Sequence, residues 1–138
     1  MKTLKSILLG LALIITSTVV KANGKEELTQ QHAVDTYVEA VTNGKLEGLN
    51  KVLDTDVKFT MMRGTKQLIF NKKEMLDYLK STSNTQNCKV NTTTVENNGE
   101  VAIVKVDLEY DGFTRSNLVT ITNTGTGWKI TNVHSTFK

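Results

Sequence analysis

Between residues 26 and 43, Val34, Tyr37, Val38 and Val41 recur at three- and four-residue spacing, and Ala33 and Ala40 widen the apolar stripe. That period predicts an amphipathic helix with one face turned to a core. Asn43-Gly44 supplies a left-handed C-cap. Leu46, Leu49 and Leu53 then predict a second, short helix ending near Asp54. Residues 57–62 and 67–70 read as strands on either side of an Arg63-Gly64 turn. Asn71, followed three residues later by Glu74, is a capping-box start. The third helix it opens turns Met75, Leu76 and Leu79 inward.

Beyond that helix the period changes to two. Residues 89–95, 101–110, 114–122 and 128–137 are β-rich runs separated by Asn98-Gly99, Asp111-Gly112 and Gly125-Thr126-Gly127. Asn-Gly and Asp-Gly between such runs predict hairpins whose two turn residues both accept positive φ. Consecutive hairpins make an antiparallel meander. Along residues 101–110, Ala102, Val104, Val106, Leu108 and Tyr110 alternate with Ile103, Lys105, Asp107 and Glu109. One face of the sheet is therefore buried and the other wet. Helices first and a one-sided sheet after predict an α+β domain, the helices covering the apolar face.

The leading segment is of another kind. Lys2 and Lys5 precede an apolar run over residues 7–15, broken only by Gly10, and Val20-Lys21-Ala22 offers the small residues that a signal peptidase reads. The run is too short to span a bilayer, and no stop-transfer pattern follows it, which predicts a cleaved export signal over residues 1–22. An uncleaved N-terminal anchor is the alternative. The mature domain is then residues 23–138, periplasmic or extracellular, with no membrane attachment after cleavage.

Cleavage alters the charge balance. The chain has 17 Lys and Arg against 14 Asp and Glu, and Lys2, Lys5 and Lys21 leave with the signal, so 14 basic residues face 14 acidic ones. A net charge of zero gives no footprint for nucleic acid, and no such partner is expected. The single cysteine, Cys88, makes no internal disulfide and lies far from any lipidation signal. No His or Cys cluster has metal-ligand spacing, so neither a metal nor a cofactor is expected.

Tyr37-Val38-Glu39-Ala40-Val41, then Asn43-Gly44-Lys45-Leu46-Glu47-Gly48-Leu49, then Leu53-Asp54-Thr55-Asp56-Val57-Lys58-Phe59 resembles the opening of nuclear transport factor 2-like domains. The close at Gly127-Trp128-Lys129-Ile130, running to Val133-His134-Ser135, is similar to the last strand of the SnoaL-like and lumazine-binding-like branches. The resemblance covers nearly the whole mature chain and is specific for fold, while the superfamily holds isomerases, dehydratases, cyclases and ligand carriers. It implies a cone: a curved antiparallel sheet wrapped around the N-terminal helices, with an apolar cavity at its open end and homodimers formed through the outer sheet face.

The chemistry that the resemblance implies at its best-understood is ketosteroid isomerisation, which needs a carboxylate base and two enolate-stabilising donors, a Tyr and a protonated Asp. The tyrosine position falls on Tyr37 and the base position on or beside Met61, which accepts no proton. The second donor position falls near Asn117, so Tyr37 and Asn117 would hold a ligand carbonyl without a base. Such a half-site predicts binding of a small apolar or heteroaromatic molecule, with Tyr37, Phe59, Met61, Tyr78, Asn117, Trp128 and His134 lining the cavity or its mouth.

Two other readings stay open. One is a SnoaL-like lyase, isomerase or cyclase with His134 as base and Tyr37 as orienting acid, since His134 falls on the same face of the last strand as Trp128 and Ile130. The other is a structural module that binds a partner through its outer sheet. His32 reads as a boundary residue of the first helix, and Asp107 and Glu109 as a solvated cross-strand charge ladder. Arg63, at the turn, could meet an anionic ligand.

Overall fold

The computed structural model of the protein describes residues 28–82 and 85–138. The expected export signal over residues 1–22 lies outside the described residues.

Helix α1 spans Gln30–Asn43. Thr29 caps it by accepting the His32 N–H at 3.1 Å, and Gly44, at φ 69°, ends it in the left-handed region. Helix α2 is a single turn, Leu49–Val52. Leu53, expected to close this helix, instead opens strand β1, Leu53–Arg63, which returns as β2, Lys66–Phe70. Helix α3, Lys72–Ser81, starts from the capping box read in the sequence: the Asn71 carboxamide accepts the Glu74 N–H at 2.9 Å, and the Glu74 carboxylate accepts the Asn71 N–H at 3.1 Å. Strands β3, Lys89–Asn97, β4, Val101–Tyr110, β5, Phe113–Asn123, and β6, Trp128–Phe137, follow as successive hairpins.

The sheet has six strands in the order β2-β1-β6-β5-β4-β3. Four of its pairs are antiparallel; β1 and β6, the first and last long strands, run parallel. The meander read from the sequence is β3 to β6, and the parallel seam is where its last strand meets the front of the chain. Hairpin signals report only neighbours in sequence, so this long-range pair leaves no local mark. The architecture is an α+β cone.

Core residues come from every layer. Ala33, Tyr37 and Ala40 of α1, Leu49 and Val52 of α2, and Met75 and Leu79 of α3 pack on Val57, Phe59, Val106, Leu108, Val119, Ile121, Ile130 and Val133 of the sheet. Strand β4 follows its expected alternation: Ala102, Val104, Val106 and Leu108 are buried, and Glu109 is exposed. Lys105 and Asp107 pair at 3.4 Å on the outer face.

Two local features depart from expectation. Among the described residues only glycines have positive φ, so in Asn98-Gly99 and Asp111-Gly112 the glycine alone takes that region. The Asn98 side chain secures its turn by accepting the N–H groups of Glu100 and Val101 at 3.0 and 2.9 Å. Strand β6 carries a bulge: Ile130 pairs with Ile121 and Asn132 with Thr120, leaving Thr131 extra. A one-residue insertion reverses which face every later side chain takes.

Candidate functional site

At one end of the sheet the inner face becomes polar. Val106, Asn117 and Ser135 lie abreast, and one step further out Leu108, Arg115 and Phe137 do the same, before the β4–β5 turn at Tyr110 and Phe113. Exposure rises along this line, from Asn117 at 0% to Phe113 and Phe137 at 44% each. This is the mouth of the cone.

A cavity of about 150 Å³ opens there. Its walls are Tyr37, Ala40 and Val41 of α1, Met75, Tyr78 and Leu79 of α3, Met61 of β1, Tyr110 of β4 and Arg115 of β5, with Thr82 and Gln86 at the rim. A pocket of about 80 Å³ adjoins it, sharing Met61, Met75 and Tyr78 and reaching Leu68, Phe70 and Arg63. Neither lining contains a carboxylate. A larger open groove of about 1260 Å³ runs past His32, Asp35, Thr36 and Glu39 on the other face of α1. Its walls are charged and solvent-facing, and Glu39 is already paired with Lys45 at 3.1 Å.

The polar groups at the cavity form a directed chain. Arg115 donates from Nη2 to Ser135 Oγ at 3.4 Å; Ser135 donates to Asn117 Oδ1 at 2.6 Å. The Tyr37 hydroxyl donates to the same Oδ1 at 3.5 Å, and Asn117 Nδ2 donates to the Val106 carbonyl at 3.1 Å. Tyr110 donates to Gln86 Oε1 at 3.3 Å, and Gln86 is held by its own N–H on the Thr42 carbonyl.

Burial pushes the Tyr37 phenol above its ordinary range, against the pull of the Arg115 charge. Tyr110 is raised as well, first by burial and then by Cys88 beside it, again opposed by Arg115. Both phenols are therefore neutral at physiological pH and serve as hydrogen-bonding groups rather than as bases. Arg115 forms no salt bridge among the described residues. Its Nε is shielded from solvent and has no acceptor, and its guanidinium carbon lies 5.9 Å from the centre of the Phe137 ring.

The expected site residues divide. Tyr37, Met61 and Tyr78 line the cavity. Met61 puts a thioether where the resemblance calls for a base. Asn117, expected to share a ligand carbonyl with Tyr37, is instead its internal acceptor: it is 0% exposed and spends its groups on Tyr37, Ser135 and Val106. Phe59 is a core residue at 4% exposure, outside both cavity linings. Trp128 pairs with Asn123 at the opposite end of β6, with its N–H on the Leu28 carbonyl at 2.7 Å. His134 lies on the outer face, because the Thr131 bulge turns Val133 and Ser135 inward instead. It does not share a compartment with Tyr37. The residue missed is Arg115. The alternation of Phe113, Arg115, Asn117, Val119 and Ile121 along β5 was the available signal.

Comparisons with known proteins agree with this fold. Residues 25–135 match the family described as "Putative lumazine-binding". Among solved structures, a nuclear transport factor 2-like protein of unknown function from Methylobacillus flagellatus KT is 21% identical with a TM-score of 0.66, the match covering 78% of this chain and 88% of that one. One from Silicibacter pomeroyi DSS-3, also of unknown function, is 13% identical with a TM-score of 0.61 and covers 90% and 97%. A cystatin-like fold protein from Burkholderia xenovorans LB400 is 15% identical with a TM-score of 0.60 and covers 78% and 87%. No curated protein matches. At these identities the structural likeness speaks for fold alone.

Proposed function

The chain belongs to the Putative lumazine-binding family of the nuclear transport factor 2-like fold, and from that premise we propose that the mouth of its cone binds a small apolar or heteroaromatic molecule without transforming it. The observation that carries the reading is a cavity with a cation, Arg115, and three tyrosine hydroxyls, those of Tyr37, Tyr78 and Tyr110, but no carboxylate or histidine. Donors can orient a ligand, while proton abstraction needs a group that accepts a proton at working pH. A void of about 150 Å³ suits a single ring or a short chain; an apolar cavity of roughly that size takes up benzene. Saturation-transfer NMR on the protein with benzamide and with lumazine tests the reading. Enhancement that Met61→Arg abolishes supports it, and absence of contact with any ring compound removes it.

We propose in addition that the protein is exported and that its outer sheet face pairs with a second copy. Ile69, Thr60, His134 and Leu118 lie abreast on that face. Ile69 and Leu118 are 53% and 41% exposed, an apolar surface that favours a partner. Sedimentation should give a dimer for the mature chain and a monomer for Leu118→Arg; a monomeric wild type overturns the pairing.

A further inference from the structure

Resting on the reading that the cone binds a small molecule, we propose that Arg115 captures the carboxylate of that molecule, so that the ligand is a small organic monoacid with an apolar body. A guanidinium projecting from the inner face of a sheet, between Phe113 and the fully buried Asn117, loses hydration and regains it only through acceptors or an opposite charge. Here the protein supplies one hydroxyl at 3.4 Å and no carboxylate among the described residues. The Nε edge is closed to water and lacks an acceptor altogether.

The neighbouring groups cannot supply the missing charge. Tyr37 and Tyr110 stay protonated because burial disfavours their phenolates. Phe137 takes the guanidinium at 5.9 Å, a cation–π contact that orients the cation without neutralising it. With Nε closed to solvent, the two Nη groups form the edge of the planar fork that matches one planar carboxylate bidentately. A phosphate dianion would bring more charge than this single cation meets, and the remaining walls at Met61, Met75 and Tyr78 call for an apolar body.

Benzoate and benzamide share size and ring and differ in charge. Calorimetric titration should show benzoate binding at least about tenfold more tightly than benzamide, as expected of a charge-assisted hydrogen bond. Arg115→Gln should bring the two together by weakening benzoate alone, and Arg115→Lys should keep a reduced preference. Equal affinity in the wild-type protein, or a preference that survives Arg115→Gln, overturns the carboxylate inference while leaving the cavity as a binding site. Failure of both probes to bind overturns the binding reading and this inference with it. The wild-type comparison decides even if Arg115→Gln does not fold.

Discussion

Ser135 gives its hydroxyl proton to the carboxamide oxygen of Asn117 at 2.6 Å, and Tyr37 reaches the same oxygen from α1 at 3.5 Å. One buried carboxamide thus joins β5, β6 and the first helix just beneath the cavity. It also fixes the direction of the polar chain, since Asn117 Nδ2 is committed to Val106. Its contribution to ligand contact is indirect: it holds the Tyr37 ring against the wall.

Replacing Asn117 by Ala should therefore be costly. Two hydroxyls lose their acceptor, the Val106 carbonyl loses a side-chain donor, and a void opens in the packed sheet. A loss of about 2–4 kcal/mol is expected, read from urea unfolding with an unchanged slope. A loss under about 0.5 kcal/mol, the scale of a surface substitution, would show that the network stabilises nothing.

Gly127 and Gly125 make a paired test of close approach against backbone strain. A Cβ on Gly127 would stand 2.5 Å from Leu28 Cβ and 3.2 Å from the Leu28 carbonyl oxygen, whereas one on Gly125 meets nothing within 4 Å. Both have positive φ, 129° and 87°. Gly125→Ala should lose about 1–2 kcal/mol from conformation, and Gly127→Ala distinctly more, because Leu28 must retreat and its 2.7 Å bond with the Trp128 N–H weakens. Equal losses in thermal unfolding would refute the contact.

Alkaline stability carries the signature of Tyr37. Its folded phenol titrates above the ordinary 10.0 because burial disfavours the phenolate. Between those two values the unfolded chain has lost a proton that the folded chain keeps, so stability present below pH 10 falls as pH rises through the window. Tyr37→Phe should flatten that fall, leaving the part due to Tyr110, which is raised as well. Denaturant midpoints from pH 8 to 11 measure it; identical slopes for the two proteins would contradict the assignment.

Processing of the leading segment is checked by intact mass. Expression with export should yield a chain beginning at Asn23, or within a residue or two of it, following the small residue Ala22. A mass that includes Met1 to Ala22 in the exported fraction would favour an uncleaved anchor instead.

Much of the fold was legible because its signals are local. The Asn71–Glu74 box, the Gly44 cap and the strict alternation of β4 each depend on residues within a few positions of one another. The parallel seam depends on Phe59 meeting Val133, which no window of sequence reports. The site was harder for a related reason. A single extra residue, Thr131, reversed the faces of β6 and moved His134 from the cavity to the outside. Arg115 was hidden by chemistry: an arginine on a strand with polar neighbours reads as a solvated residue unless the face it shares with Asn117 and Val119 is followed to its end. Tyr37 was found because helical periodicity and the family resemblance agreed on it.

The seam between β1 and β6 has a bearing on how the molecule is made. The front of the chain, with its helices and its opening strand, finds its sheet partner only in the final ten-residue strand, Trp128–Phe137. Until those residues leave the ribosome, β1 has only the short β2 beside it, and the loop-closure entropy of joining the two ends is not yet offset. The sheet accordingly closes only once β6 has been made, so its central seam is the last of its strand pairings to become available during synthesis.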